Sequence, residues 1–461
     1  MNVEPNKPDL FSKVVRKIIA PLWAWKENSP YLHYLSQLQK NPYRPYDQVR
    51  LDQWQRLNRL LNQAYGNTEF YASRLKAAGK APDTIKDWND FQDLPLLTKE
   101  DIRANKDQMV AKNVPAQKLI PGKTSGSTGI SLEFFIDEES RQWKRACTVK
   151  YDQWSGWNLG EKIGAVWGNP QHRINWRANL RNLLLERITY LDTLQMDEQD
   201  MTRFYHELMK KKPTLLFGHA HSLFLLASFL KKKRLTGVRP RGIISTCMVL
   251  HPFEREIIQN VFNCKVTNRY GCEEVSLIAC ECPEGNMHLN CDTLILEFIR
   301  DGKPVQPGEP GAIVITDLTN YGMPFIRYKV GDVGIPSAKT SCPCGCTYPI
   351  MDSIEGRVAD YVMTPEGKFI SGISLTENFA LRLPGIKQLQ IIQDQMDFLI
   401  FRLVQGEHFD ESTVLRNLDS LVLERFGNRM KYTVVYVDSI QSEESGKYRF
   451  CISNIPNPFS D

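Results

Sequence analysis

Six consecutive residues, Thr124, Ser125, Gly126, Ser127, Thr128 and Gly129, carry a hydroxyl or no side chain at all. Such a run can gather backbone N–H groups and rotatable O–H donors into one concavity, because glycine reaches positive φ and lets the backbone approach a ligand closely. The chemistry that suits it is the binding of a phosphate chain. Gly/Ser runs also serve as flexible linkers. Here the run leads directly into Leu132, Phe134 and Ile136 alternating with Glu133, Phe135 and Asp137, a strand signature that a linker does not need. The neighbouring Gly122-Lys123-Thr124 does not complete a nucleotide-triphosphatase P-loop, because Gln117 stands where that pattern requires its first glycine.

A second group of residues has the chemistry of a metal site. Cys282 and His288 flank the turn-rich Pro283-Glu284-Gly285-Asn286, and Cys342-Pro343-Cys344-Gly345-Cys346 follows downstream. Thiolates and an imidazole from two such knuckles would close a tetrahedral Cys₃His zinc site, and a closed site is a structural one. Cys280 and Cys346 remain further ligand candidates; a set of small buried thiols with a core histidine is the plainer reading.

The background composition is that of a soluble enzyme. The chain has 461 residues, 42% hydrophobic and 24% charged, with a formal net charge of +5, too small to indicate nucleic acid by itself. Its longest basic runs, 210–212 and 231–234, adjoin apolar helical patterns as solvated faces do. Eleven cysteines without an export signal argue for thiols or metal ligands rather than disulfides, which is the expectation for a cytoplasmic protein. No run of about eighteen uninterrupted apolar residues is present, so no transmembrane segment is expected. Residues 11–25, where Lys13, Arg16 and Lys17 alternate with Val14, Val15, Ile18, Ile19, Leu22 and Trp23, read as an amphipathic helix docked on the body, with a membrane surface as the alternative.

The elements that must position these groups follow from periodicity. Leu51, Trp54, Leu57, Leu60, Leu61 and Ala64 predict one buried helical face, and Thr98 with Asp101 resembles a capping box opening the next helix. Strand-like runs at 163–167, 223–230, 242–246 and 265–270 alternate with helices around 201–211 and 253–262, the rhythm of a largely parallel α/β sheet. Strands and turns dominate from Leu294 onward. A boundary is expected near Glu355-Gly356-Arg357, beyond which 389–393, 397–404, a helix at 412–426 and 432–437 read as a small α+β domain. The fold class is therefore α/β: a large multi-sheet domain over residues 1–356 with a helical N-terminal region, and a small domain over 357–461.

Three further motifs make a family visible: Arg269-Tyr270-Gly271-Cys272-Glu273-Glu274, Phe325-Ile326-Arg327-Tyr328-Lys329-Val330-Gly331-Asp332, and Glu355-Gly356-Arg357-Val358-Ala359-Asp360. With the Ser/Thr/Gly loop and Gly446-Lys447-Tyr448-Arg449, they make nearly the whole chain resemble the adenylate-forming enzymes, and most of all the branch of phenylacetate–coenzyme A ligases and capsular-polysaccharide (CapK-type) proteins. The resemblance implies that ATP and a small carboxylic acid give an acyl-adenylate and pyrophosphate, after which a thiol or an amine takes the acyl group. It implies that the large domain is an adenylation domain and the small one a mobile lid. Residues 124–129 would hold phosphates with help from Lys123, Glu274 would bind Mg²⁺, Tyr270 would flank the nucleotide, Asp332 would accept the ribose hydroxyls, and Arg357 would contact the nucleotide or position the lid. Lys447 would be the cation of the first step. The same branch carries the Cys/His pattern, which supports Cys282, His288, Cys342 and Cys344 as ligands of a structural Zn²⁺.

Two departures bear on the acceptor. Ala359 stands where many coenzyme A ligases carry a hinge carboxylate, and residues 363–368 form a turn rather than a longer glycine-centred loop. Coenzyme A is one acceptor to expect; an amine or a sugar-linked nucleophile in surface-polysaccharide synthesis is the other. A non-catalytic scaffold and a zinc-stapled nucleic-acid-binding protein are the readings from other classes, and no nucleic-acid partner is expected. Trp154, Trp157, Trp167, His172, His219, His221, Ser245 and Thr246 fall in segments able to line an acyl pocket, without any one being assigned. The oligomeric state is open, a homodimer included.

Overall fold

The computed structural model describes residues 4–123, 132–167, 176–193, 196, 198–357, 361–366, 369–371, 375, 379, 382–406, 408–441 and 449–455. A hairpin-like pair, β1 (Leu119–Lys123) and β2 (Glu133–Asp137), stands apart from the main sheet. The main sheet begins with β3 (Ile163–Val166), β4 (Ile188–Leu191), β5 (Leu215–His219), β6 (Gly242–Thr246) and β7 (Val266–Cys272). It continues with β8 (Ser276–Glu281), β9 (Met287–Leu289), β10 (Leu294–Arg300), β11 (Lys303–Pro304), β12 (Gly311–Asp317), β13 (Tyr328–Pro336) and β14 (Ile350–Arg357). These twelve strands lie in the order β11-β10-β12-β13-β14-β9-β8-β7-β6-β5-β3-β4. The run from β4 to β7 is parallel and the rest is antiparallel.

Parallel strands are covered on both faces, and β6 is an instance: every residue of it is buried. Side chains alternate between the two layers. Leu216 and Ile243 face the helices Glu198–Lys211, Ala220–Lys232 and Pro252–Phe262, whereas Leu215 and Ile244 face Tyr31–Leu38 and Glu138–Asp152. A third cluster joins the 22-residue helix Tyr46–Asn67 to the antiparallel half, with Leu57, Leu60, Leu61 and Ala64 against Ile313, Ile315 and Tyr328. Each such leucine contributes about 1.5–3 kcal/mol of burial.

The capping box is present, with Asp101 N–H donating to Thr98 Oγ1 at 3.1 Å and Thr98 N–H to Asp101 Oδ2 at 3.0 Å. Two readings of the pattern are corrected. Residues 223–230 lie in the helix Ala220–Lys232, and the strand is the preceding Leu215–His219. Leucine and phenylalanine fill a buried helix as readily as a buried strand, and an all-apolar run carries no period to separate them. Leu51, assigned to the buried face of its helix, is 62% exposed.

Farther along, β15 (Tyr361–Met363) pairs with β16 (Phe369–Ser371). β17 (Ile386–Gln395), β18 (Phe398–Gln405), β19 (Lys431–Tyr436) and β20 (Cys451–Ser453) form a separate sheet in the order β19-β18-β17-β20, backed by the helix Glu411–Phe426. Among the described residues, buried apolar side chains between Val362 and Cys451 form a cluster of their own.

Candidate functional site

The Ser/Thr/Gly loop, Thr124 to Gly129, lies outside the described residues, but its supports do not. Lys123 and Glu133 are cross-strand partners, so the two ends of the loop stand one strand spacing apart. Asp137, at the end of β2, caps the helix Glu138–Asp152 by accepting from Ser140 N–H at 2.7 Å. Its other oxygen accepts from Tyr321 N–H at 2.7 Å and Gly322 N–H at 2.8 Å. The strand β2 is thereby tied to the segment that runs into Phe325 and on to Asp332. Lys123 itself is exposed and reaches Glu133 at 3.7 Å, a surface pair of little energetic weight.

Three of the expected nucleotide-side residues come together: Tyr270 on β7, Glu274 just beyond it and Asp332 on β13. The Tyr270 hydroxyl donates to Asp332 Oδ2 at 2.6 Å. Burial, with the Asp332 carboxylate beside it, pushes the Tyr270 phenol well above its ordinary range, so it remains a donor. Gly271 has a steric reason: a Cβ there would sit 2.4 Å from the Ser276 carbonyl oxygen. Glu274 is buried, and its Oε1 accepts from the Tyr328 hydroxyl at 2.8 Å. Asp332 follows Gly331 at φ +97, a left-handed conformation that glycine supplies without strain. The backbone of Arg357 stands opposite Asp332 across β13 and β14; its side chain lies outside the described residues. Lys447 and His172 also lie outside them.

Sequence reasoning missed the groups that hold this arrangement. Lys144, buried on the helix Glu138–Asp152, pairs with Asp317 at 2.8 Å and donates to the Glu274 carbonyl oxygen at 3.1 Å. Arg327, inside its motif but unassigned, forks onto buried Glu297 at 3.1 and 3.0 Å and donates to the carbonyls of Gln92 and Leu94. Burial raises the Glu297 carboxyl while Arg327 works the other way. Arg327 adopts φ +52, a strained conformation for a non-glycine residue that these bonds hold in place. An acid lone in sequence gives no hint of such a partner; only the unusual buried charge does.

At the C-terminal edge of the parallel strands, His219, Thr246 and Arg269 are successive register partners. This is the edge where open α/β sheets take ligands. Trp167 packs on His219 with ring centroids 4.2 Å apart. His221 Nδ1 lies 2.9 Å from Glu254 Oε1, a buried carboxylate. Trp157 is buried and Trp154 packs edge-on to His288, so both belong to the core.

The Cys/His residues converge. Ligand atoms of Cys282, His288, Cys342 and Cys344 all lie within 4.8 Å of one another. Cys282 Sγ and Cys342 Sγ are 3.7 Å apart, and Cys344 Sγ is 3.4 Å from His288 Nε2. Zn–S bonds of about 2.3 Å and a Zn–N bond of about 2.0–2.1 Å at tetrahedral angles put sulfur atoms about 3.8 Å apart and sulfur and nitrogen about 3.6 Å apart. The donor set fits zinc. His288 Nδ1 lies 2.8 Å from the Tyr348 carbonyl oxygen, a bond that requires the proton on Nδ1 and leaves the Nε2 lone pair facing the thiols. Burial depresses the His288 pKa despite that bond, favouring the neutral imidazole a metal needs. Asn286 Nδ2 donates to Cys342 Sγ at 3.2 Å and Cys346 N–H to Cys344 Sγ at 3.4 Å, bonds that favour thiolates. Cys280 and Cys346 are not members of the four.

Residues 362–454 match the CapK C-terminal domain. Over 414 residues the chain is 26% identical to Protein CapK of Staphylococcus aureus, covering 87% of this chain and 88% of that one. It is 37% identical over 333 residues to a phenylacetate–coenzyme A ligase of Escherichia coli K12, covering 69% of this chain and 73% of the ligase. A 2-hydroxyisobutyryl-CoA ligase solved in the postadenylation state has a similar fold, with TM-score 0.72, 20% identity, and coverage of 90% of this chain and 91% of that one. The order of motifs, the mixed sheet and these similarities together place the chain in the phenylacetate–coenzyme A ligase family, within the CapK-containing branch of the adenylate-forming ligases.

Proposed function

We propose that this protein activates a small carboxylic acid as its acyl-adenylate and passes the acyl group to coenzyme A. The observation that carries this reading is the juxtaposition of two oriented carboxylates, Asp332 held by Tyr270 and Glu274 held by Tyr328, with the β1–β2 hairpin linked to Tyr328 through the rings of Phe134 and Phe325. In the first step the carboxylate oxygen bonds to the α-phosphorus of ATP while the bond to the pyrophosphate oxygen breaks. Two anions meet, so donors and cations must lie where charge grows.

Thr124, Ser125, Gly126, Ser127, Thr128 and Gly129 bind the β- and γ-phosphates, Asp332 the ribose hydroxyls, and Tyr270 one face of the nucleotide. Glu274 would hold Mg²⁺, an ion that takes one or two carboxylates with water and phosphate oxygens and neutralises their charge. Residues beyond about 356 act as a lid that carries Lys447 to the reacting phosphate, with Arg357 at the joint. Cys282, His288, Cys342 and Cys344 would hold a structural zinc that joins the turn after β8 to the loop before β14.

Ala359 and the short 363–368 turn favour a second reading in which the acceptor is an amine or a sugar-linked nucleophile. Both readings are tested by incubating the protein with ATP, Mg²⁺ and panels of aryl, fatty and amino acids. Pyrophosphate release that depends on one acid class is expected, and added coenzyme A or amine should identify the acceptor by raising turnover. No acid-dependent pyrophosphate from any panel would overturn the ligase reading.

A further inference from the structure

The helical segment at 10–26 presents apolar side chains on two faces. On the inner face Ser12, Val15, Ala20 and Ala24 are buried, and Val15 and Ala20 share a cluster with Leu185. On the outer face Leu10, Val14, Ile18, Leu22 and Trp25 are 82, 39, 53, 60 and 80% exposed. A strict four-residue spacing drifts by roughly 40° per step on a helix of about 3.6 residues per turn. The wider π-turn Val15–Ile19 takes up that drift in the middle of the segment and keeps the outer residues on one stripe.

The helix Trp176–Arg181 and the turn Asn182–Glu186 lie alongside and extend the patch with exposed Trp176, Leu180 and Leu183. Arg181 pairs with Glu27 at 2.7 Å and so joins the two segments. With Phe11, this face carries nine of the sixteen large hydrophobic side chains exposed among the described residues. Scattered exposed apolar residues need no explanation; a contiguous patch marks an interaction surface.

The charge around the patch selects the partner. Residues 10–26 contain Lys13, Arg16, Lys17 and Lys26 and no acidic residue, and Lys13, Lys17, Lys26 and Arg177 are exposed. Leucine, isoleucine and tryptophan flanked by lysine and arginine are what an interfacial helix uses, its apolar face in the acyl boundary and its cations at anionic headgroups. We propose that this face docks on the surface of an anionic lipid bilayer. A second copy of the chain fits less well, because a two-fold interface would set these cations against themselves. The chain would lie on the bilayer without crossing it, since no described helix is long and apolar enough to span.

The position in the fold leaves catalysis undisturbed. Arg16 donates to the Leu159 carbonyl at 3.1 Å, Arg187 pairs with Asp9, and Asn6 donates to the Pro213 carbonyl at 2.8 Å. The segment therefore sits at the N-terminal ends of β3, β4 and β5, whereas the candidate site opens at the opposite, C-terminal edge of the parallel strands.

The test is cosedimentation of the full chain with vesicles of phosphatidylcholine alone or mixed with phosphatidylglycerol. Wild type is expected to sediment with the mixed vesicles and to remain in solution with phosphatidylcholine. The I18D/L22D variant should lose vesicle binding, by about tenfold or more in partition coefficient. K13Q/K17Q should weaken it roughly fivefold per lysine removed. All these side chains are exposed, so far-UV circular dichroism and melting temperature should match wild type in both variants. Wild type remaining in solution with both vesicle types, or both variants sedimenting as wild type does, would overturn the proposal. So would a wild-type dimer by light scattering that I18D/L22D converts to monomer without any vesicle binding.

Discussion

A lysine flanked by Gly446 and Tyr448 near the chain's end is one basic residue among 58, and its position alone would not distinguish it. Its proposed role is to supply positive charge as carboxylate and phosphate approach, so Lys447→Ala should lower adenylate formation by about 10²–10³-fold, the cost of one transition-state donor. Unchanged acid-dependent pyrophosphate exchange in that variant would remove Lys447 from the first step. The Asp332–Tyr270 pair separates two functions. Asp332→Ala should lower kcat/KM for ATP roughly 10- to 150-fold, as loss of hydrogen bonds to a charged acceptor costs about 1.5–3 kcal/mol. Tyr270→Phe keeps the ring and removes only the bond that orients Asp332, so its effect should be the smaller of the two. Equal losses would mean that the phenol itself acts on the nucleotide.

At the scale of elements, what was legible in sequence was whatever leaves a local mark. The limits of β6, Gly242–Thr246, and the cap at Thr98 could be read directly, because turns and capping residues announce themselves within a few positions. The Cys/His pair of knuckles was legible from ligand chemistry, and the four thiol and imidazole groups do converge. Illegible were β4, Ile188–Leu191, the helix status of 223–230, and the partners of Lys144 and Arg327, since each depends on what packs against it from far along the chain. The knuckles make the element-scale prediction. Protein purified without chelator should carry one zinc per chain, and Cys344→Ala should lose it and cost about 3 kcal/mol or more of stability, in line with loss of a structural metal. Metal-free protein with wild-type melting behaviour would reduce the cluster to packed thiols held by the Asn286 and Cys346 N–H bonds.

At the scale of the molecule, and among the described residues, the buried side chains of 362–451 share no cluster with those of the large sheet. Cooperativity follows contact, so a region with its own core should unfold as its own unit, and a single melting temperature would not describe this chain. All nine tryptophans, from Trp23 to Trp176, precede residue 177, which makes tryptophan fluorescence a reporter of the large unit alone. Phe401 sits in β18, fully buried, stacked on Phe379 at 5.5 Å and edge-on to Tyr432 at 5.5 Å. Phe401→Ala should cost the small unit about 3–5 kcal/mol, lowering amide-exchange protection of residues 386–436 while the tryptophan-monitored transition stays where it is in wild type. If the two move together, the small unit is not independently cooperative. A lid able to swing Lys447 toward ATP would then need a different mechanical basis, because a unit whose core melts with the body is packed as part of it.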